Sequence, residues 1–265
     1  MKVLAIDTSS AVGSAAVLDT IEGLSGCRIL RLTDKKNTHS QSLMPSIDFL
    51  LKTSGLKISD VGLFVVTLGP GSFTGLRIGL STVNGFSFAT GKPVAGVSAL
   101  ECLAWNFPYS ACPVCTIIDA RRGDVYGALF TYGDNGFSRL LEEGVYNAGV
   151  LMEKLSDNFR DYTVFTGDAC VKFRALIEER LGDKALFAGP DKTYVSAATA
   201  ALIGVKEYEK GRATVSNTLK PLYFKRPQAE EKLNDKKLND ERLNEEKLHE
   251  EKLNDERLQD VCQNP

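Results

Sequence analysis

At 265 residues and 43% hydrophobic content, the chain can bury one large core or two lobes of about a hundred residues each. The net charge of −2 hides a split: residues 230–265 carry 12 acidic and 7 basic side chains, against 22 acidic and 25 basic before them, which excludes a nucleic-acid binder working by bulk charge. No apolar run reaches membrane-spanning length, the opening Met1-Lys2-Val3-Leu4-Ala5-Ile6-Asp7 is no secretory signal, and six dispersed cysteines make no disulfide framework, so a reducing cytoplasm is expected.

Residues 3–6 and 13–18 read as strands joined by the polar turn Asp7-Thr8-Ser9-Ser10, and residues 27–32 as a third strand of an antiparallel meander. Residues 38–53 place Leu43, Ile47, Leu50 and Leu51 on a helical stripe closed by Gly55, with Pro45 near its first turn or kinking it. Residues 61–67 form the next strand. It stops at Gly69-Pro70-Gly71-Ser72-Phe73-Thr74-Gly75-Leu76-Arg77, where a helix begins that runs to about Thr90, capped by Ser72 or Thr74. Such a turn often presents helix N–H groups to phosphate. Neither G-x-G-x-x-G nor G-x-x-x-x-G-K-S/T is met, however, so spacing alone favours a plain strand-to-helix turn. A strand over 93–97 and a short helix capped by Ser98 complete the first pass.

A second pass of the same pattern follows. Strands are expected at 114–119, 125–132 and 139–146, helices at 148–155, 171–181 and 195–210, and strands at 163–166 and 185–187. Two β-β-β-α-β-α passes point to duplication of one lobe. Cys112-Pro113-Val114-Cys115 has no second C-x-x-C, and the chain has only two histidines, His39 and His249, so the motif reads as structural. From Lys232 six five-residue units repeat. Leucines five apart spiral around a helix and form no seam, which leaves a charged tail that is a solvated helix or disordered.

The turn Ile6-Asp7-Thr8-Ser9 resembles the aspartate-led hairpin over which the actin-like ATPase and sugar-kinase superfamily holds phosphate. Together with the glycine turn, Ile118-Asp119-Ala120-Arg121-Arg122-Gly123-Asp124-Val125-Tyr126, His39-Ser40-Gln41-Ser42-Leu43-Met44-Pro45 and Pro93-Val94-Ala95-Gly96-Val97-Ser98, it makes residues 1–226 similar to the bacterial TsaB (YeaZ) family. That resemblance implies an α/β, two-lobed actin-like ATPase (ribonuclease H-like) fold with mixed sheets flanked by helices. The expected divisions are an N-terminal lobe 1–107, a C-terminal lobe 108–229 whose 195–210 helix packs back on the first, and the tail 230–265.

In the family, TsaC makes threonylcarbamoyl-AMP and TsaD transfers the threonylcarbamoyl group to adenosine beside the tRNA anticodon. TsaB pairs with its paralogue TsaD as a required non-catalytic subunit, and the ATPase TsaE joins them. The resemblance therefore implies a TsaD heterodimer, TsaE as a further partner, a homodimer without TsaD, tRNA engaged through the complex, and no membrane. It implies no catalytic residue, no metal and no required cofactor, with ATP and magnesium weak or vestigial at most.

The catalytic paralogue carries H-x-x-x-H on a helix, and here Ala99 and Leu103 fall at those positions, where neither can ligate a metal. A metallopeptidase reading fails for the same want of ligands. A vestigial nucleotide cleft would comprise Asp7, Thr8 and Ser9 with Asp119, whose second turn is bulky and doubly basic. The alternative is a stand-alone magnesium-dependent ATPase or small-molecule kinase using Asp7 and Asp119, but strand-end aspartates also serve as turn hydrogen-bond acceptors, and that reading is favoured here. The helix after the glycine turn is apolar around most of its circumference, so it is buried on more than one side. Burial within the chain and burial against a partner fit that pattern equally. The resemblance implies the second, with His39, Leu43, Ile47 and Leu50 on one helix and Gly75, Leu76, Gly79, Val83 and Phe86 on the next. Gly75 and Gly79 would admit a second helix closely.

Overall fold

The computed structural model describes residues 1–31, 39–134, 136–158, 161–215 and 219–225, and the charged repeat expected over 230–265 lies outside them. The first half runs β1 (Lys2–Asp7), β2 (Val12–Asp19), β3 (Gly23–Arg31), α1 (His39–Thr53), β4 (Leu63–Gly69), α2 (Phe73–Thr90), β5 (Val94–Ser98) and α3 (Ala99–Ala104). The second runs β6 (Val114–Asp119), β7 (Asp124–Gly133), β8 (Gly136–Asn147), α4 (Ala148–Asn158), β9 (Thr163–Thr166), α5 (Ala169–Leu181), β10 (Ala185–Phe187) and α6 (Ala197–Glu209). Met1–Phe224 is one compact unit, and the chain divides after Phe224.

Each half builds a five-stranded sheet of the same order, β3-β2-β1-β4-β5 and β8-β7-β6-β9-β10. In each, the second strand runs antiparallel to its neighbours, while β1, β4 and β5, and likewise β6, β9 and β10, are parallel. This is the ribonuclease H-like arrangement of actin-like ATPases, laid down twice.

The central strands β1, β4 and β6 are buried almost end to end because both faces are covered, whereas the edge strand β8 is largely outside the core. Along β1, Leu4 and Ile6 join Leu43, Ile47 and Val83 of α1 and α2 on one face. Val3 and Ala5 point the other way, to Leu100 of α3 and Ala200 and Ile203 of α6. That second cluster also takes Val114 and Phe130 from the other sheet, so α3 and α6 fill the space between the two. Cys115 and Ile117 of β6 pack against Leu151, Leu155 and Ile177 of α4 and α5.

The elements lie close to their expected places. The main departure is β3, which begins at Gly23, four residues before the expected start, because the β2–β3 turn closes at once on a glycine with φ 92°. Ser72, not Thr74, caps α2, its Oγ accepting from Gly75 N at 3.3 Å, and Ser98 caps α3. Pro45 sits inside α1, beyond its first turn. Among the described residues no helix is long and apolar enough to cross a membrane.

Candidate functional site

The turn after β1 is walled in by the start of α2. Asp7, Thr8 and Ser9 are each at most 1% exposed. Thr8 Oγ1 donates to Gly75 O at 2.7 Å, Ser72 N donates to Ser9 O at 2.6 Å, and Ser9 N donates to Asp7 Oδ1 at 3.1 Å. Side chains are excluded from the facing surface. A Cβ on Gly71 would lie 2.2 Å from Ser9 O, on Gly75 1.9 Å from Thr8 O, and on Gly79 2.5 Å from Thr8 Oγ1. The room that the glycine spacing suggested for a second helix is taken by Thr8. The glycine-rich segment exists so that one turn of the chain can press against another.

Asp7 Oδ1 also accepts from Thr67 Oγ1 at 2.6 Å, while Oδ2 is buried with no partner among the described residues. Burial pushes its carboxyl up, against the lowering effect of the Thr67 and Ser9 hydrogen bonds. A magnesium nucleotide requires a carboxylate that water and phosphate can reach. A fully enclosed Asp7 whose turn is closed by its own chain does not fit that group.

A stability test follows from this enclosure. At neutral pH the buried charge of Asp7 is a cost that protonation relieves. Wild-type stability therefore rises as pH falls from the raised folded value of Asp7 toward the ordinary 3.8. Asp7→Asn keeps an oxygen for Thr67 and Ser9, so denaturation should find it at least as stable as wild type at pH 7. Its advantage should shrink as pH falls through that window.

The second turn is equally occupied. Asp119, at the end of β6, accepts from Lys172 Nζ at 2.8 Å and from Arg121 N at 2.9 Å. Partial burial pushes its carboxyl up, but the Lys172 and Arg121 contacts outweigh that and hold it below the ordinary range. Asp119 N donates to Asp168 Oδ1 at 3.0 Å, and burial raises the Asp168 carboxyl. Arg121 and Arg122 both adopt the left-handed region, with φ 64° and 52°, ahead of Gly123 at 86°. Asp7 and Asp119 belong to different sheets. Ala99 and Leu103 are buried in α3, and no group of three metal-ligating side chains occurs among the described residues.

The nine residues expected at a partner surface lie on α1 and α2, turned mainly toward their own sheet. Leu43, Ile47, Leu50, Leu76 and Val83 are at most 2% exposed. Phe86 is half-buried with its ring 5.6 Å from Phe64, and Gly75 and Gly79 meet Thr8. His39 is buried, its Nε2 2.7 Å from Ser10 O, and its ring occupies the space beside Gly13. His39 thus ties the start of α1 to the same turn that anchors α2.

The outward side of this helix pair carries a groove of about 490 Å³, with Ser40 and Met44 of α1 facing Thr74, Arg77, Ile78 and Ser81 of α2. Thr74, Arg77, Ser81 and Phe88, spaced by three, four and seven residues, fall along one stripe of α2. Met44 is 49% and Phe88 88% exposed. Sequence reading missed the segment that packs on Phe73 and Arg77 of this groove. Leu222 N donates to Leu68 O at 2.7 Å, Tyr223 stacks on Phe73 at 4.7 Å, and Arg77 lies 4.0 Å over the same ring while Arg77 Nε donates to Tyr223 Oη. The available signal was the apolar cluster Leu222-Tyr223-Phe224 just before the charged tail.

Residues 33–233 match the family model of TsaD, tRNA N6-adenosine threonylcarbamoyltransferase. The chain is 33% identical over 238 residues to the tRNA threonylcarbamoyladenosine biosynthesis protein TsaB of Bacillus subtilis strain 168, covering 88% of this chain and 97% of that protein. It is 33% identical to Escherichia coli K12 TsaB over 172 residues, 63% of this chain and 72% of the relative. The solved structure of YeaZ from Pseudomonas aeruginosa superposes with a TM-score of 0.69 at 25% identity, covering 84% of this chain and 99% of that one.

Proposed function

The chain belongs to the TsaB family, and on that footing we propose that it is the non-catalytic subunit of the tRNA threonylcarbamoyladenosine machinery, pairing with a TsaD paralogue in the cytoplasm. The observation that carries the non-catalytic part is the enclosure of Asp7. Its turn is filled by Ser72 N, Gly75 O and Thr67 rather than held open for phosphate. The Asp119 turn is neutralised by Lys172. Neither end of the would-be cleft presents a free carboxylate for magnesium.

The same turn fixes α1 through His39 and α2 through Thr8, and the groove between these helices is the docking face for the partner. Without the partner, that face pairs with a second copy. TsaE and tRNA are engaged through the assembled complex. The test is to purify the chain alone and measure ATP hydrolysis, then co-purify it with the TsaD paralogue. Background turnover with stable pairing is expected. Robust turnover by the chain alone would establish the ATPase or kinase alternative instead.

A further inference from the structure

Of the residues that line the groove between α1 and α2, none is acidic and only Arg77 is charged. Arg77 is also the one charged residue of α2. Its guanidinium is held from two sides: Phe73 takes one face at 4.0 Å, and Nε donates to Tyr223 Oη at 3.3 Å. Tyr223 is itself seated by its stack on Phe73 and by the neighbouring Leu222 N, which donates to Leu68 O at 2.7 Å. Arg77 makes no ion pair among the described residues, and its Nη groups donate to none of them. A long cation has thus been fixed in one place without receiving a counter-charge there.

The surroundings are positive as well. Ser40 lies in the first turn of α1, and Phe73 and Thr74 lie in the first turn of α2, so both helices begin at this groove. A helix N-terminus carries partial positive charge that an Asp or Glu in the first turn would offset, and neither helix has one. The one acid of α1, Asp48, is held by Lys52 at 2.7 Å. Residues 219–224 bring Lys220 and no acid.

We propose that Arg77 is the polar anchor of the docking groove and receives a carboxylate side chain of the partner, with Tyr223 as the positioning residue that fixes its fork. That a partner docks here rests on the reading above; the sign of the group it presents rests on the charge and geometry of the groove. With Nε committed to Tyr223, the two Nη groups remain as an edge that matches a carboxylate through parallel hydrogen bonds. Met44 and Ile78, lining the same groove, keep water from the pair once the partner is seated.

Titration calorimetry of the full chain against the purified TsaD paralogue tests this. Arg77→Met keeps an apolar stem over Phe73 and should weaken pairing roughly 30-fold or more, while Arg77→Lys recovers only part of the loss. Arg77→Glu should bind about tenfold more weakly again, because it sets one carboxylate against another. Added salt should weaken wild-type pairing more than that of Arg77→Met. Tyr223→Phe keeps the stack and removes the oxygen that receives Nε. It should cost about threefold to tenfold in the wild type and nothing in Arg77→Met, whereas a merely structural Tyr223 would have the same effect in both backgrounds. Arg77 is exposed, so the melting temperatures of its variants should stay near wild type.

Wild-type affinity in Arg77→Met would overturn the anchor, and Arg77→Glu pairing as tightly as Arg77→Met would overturn the carboxylate. Self-association that depends on Arg77, with pairing to the TsaD paralogue unchanged, would give the groove to a second copy and also overturn the proposal. The Met44→Asp, Phe88→Asp double variant separates the two readings. If it fails to pair while the Arg77 variants pair normally, only the anchor is wrong; if it too pairs normally, the docking face itself is wrong.

Discussion

Gly75→Ala should lower the melting temperature by roughly 5–15 °C, equivalent to about 2–4 kcal/mol in a domain of this size. Alanine is ordinarily the better helix former. Here its methyl would lie 1.9 Å from Thr8 O, a backbone atom held in β1's turn by hydrogen bonds on both sides. Neither the turn nor α2 can retreat without opening the buried Asp7 site. Gly85→Ala, ten residues along the same helix, is the control. Nothing lies within 4 Å of its Cβ, so that change should gain up to about 1 kcal/mol. Calorimetry on the two variants decides it, and equal melting temperatures would mean that the turn does not press on α2.

The second large effect concerns pairing rather than folding. Met44→Asp combined with Phe88→Asp should weaken association with the TsaD paralogue by roughly 100-fold or more, the scale at which two apolar anchors of an interface contribute. Both side chains are largely outside the core, at 49% and 88% exposure, so thermal stability should change little. Ile21→Asp, on a side chain 89% exposed at the β2–β3 turn, tests whether any lost apolar surface suffices. Titration calorimetry should show the double variant failing and Ile21→Asp binding as wild type.

Most of the fold is legible in the sequence because its signals are local. Alternating apolar runs mark the strands, and the spacing of Leu43, Ile47 and Leu50 marks the buried stripe of α1. Ser72 and Ser98 are readable as caps because a hydroxyl just before an apolar helix has few other uses there. The repetition of strand order is visible as two passes of one pattern.

The site is less legible, because periodicity shows that a helix is buried without showing against what. Gly75 and Gly79 signal a close neighbour, but only the fold reveals that it is Thr8, 67 residues upstream of Gly75. The buried stripe of α1 and α2 is easier to see than the outward one, since Thr74, Arg77 and Ser81 look like any solvated surface. Phe88 alone breaks that pattern. Likewise, a strand-end aspartate reads in sequence either as a magnesium ligand or as a turn acceptor, and only the fold shows Asp7 Oδ1 accepting from Ser9 N and Thr67 Oγ1. Tyr223 escapes notice because its partner Phe73 is distant in the chain.

The central claim is that this chain contributes a surface and no chemistry. It is tested most directly by the rate of threonylcarbamoyl transfer to tRNA in a complex reconstituted with the TsaD paralogue and TsaE, supplied with threonylcarbamoyl-AMP. The chain would be either Asp7→Asn or the Met44→Asp, Phe88→Asp double variant. The account predicts wild-type transfer with Asp7→Asn and, with the double variant, a rate near that of reactions lacking the chain. Transfer abolished by Asp7→Asn but sustained by the double variant would contradict it.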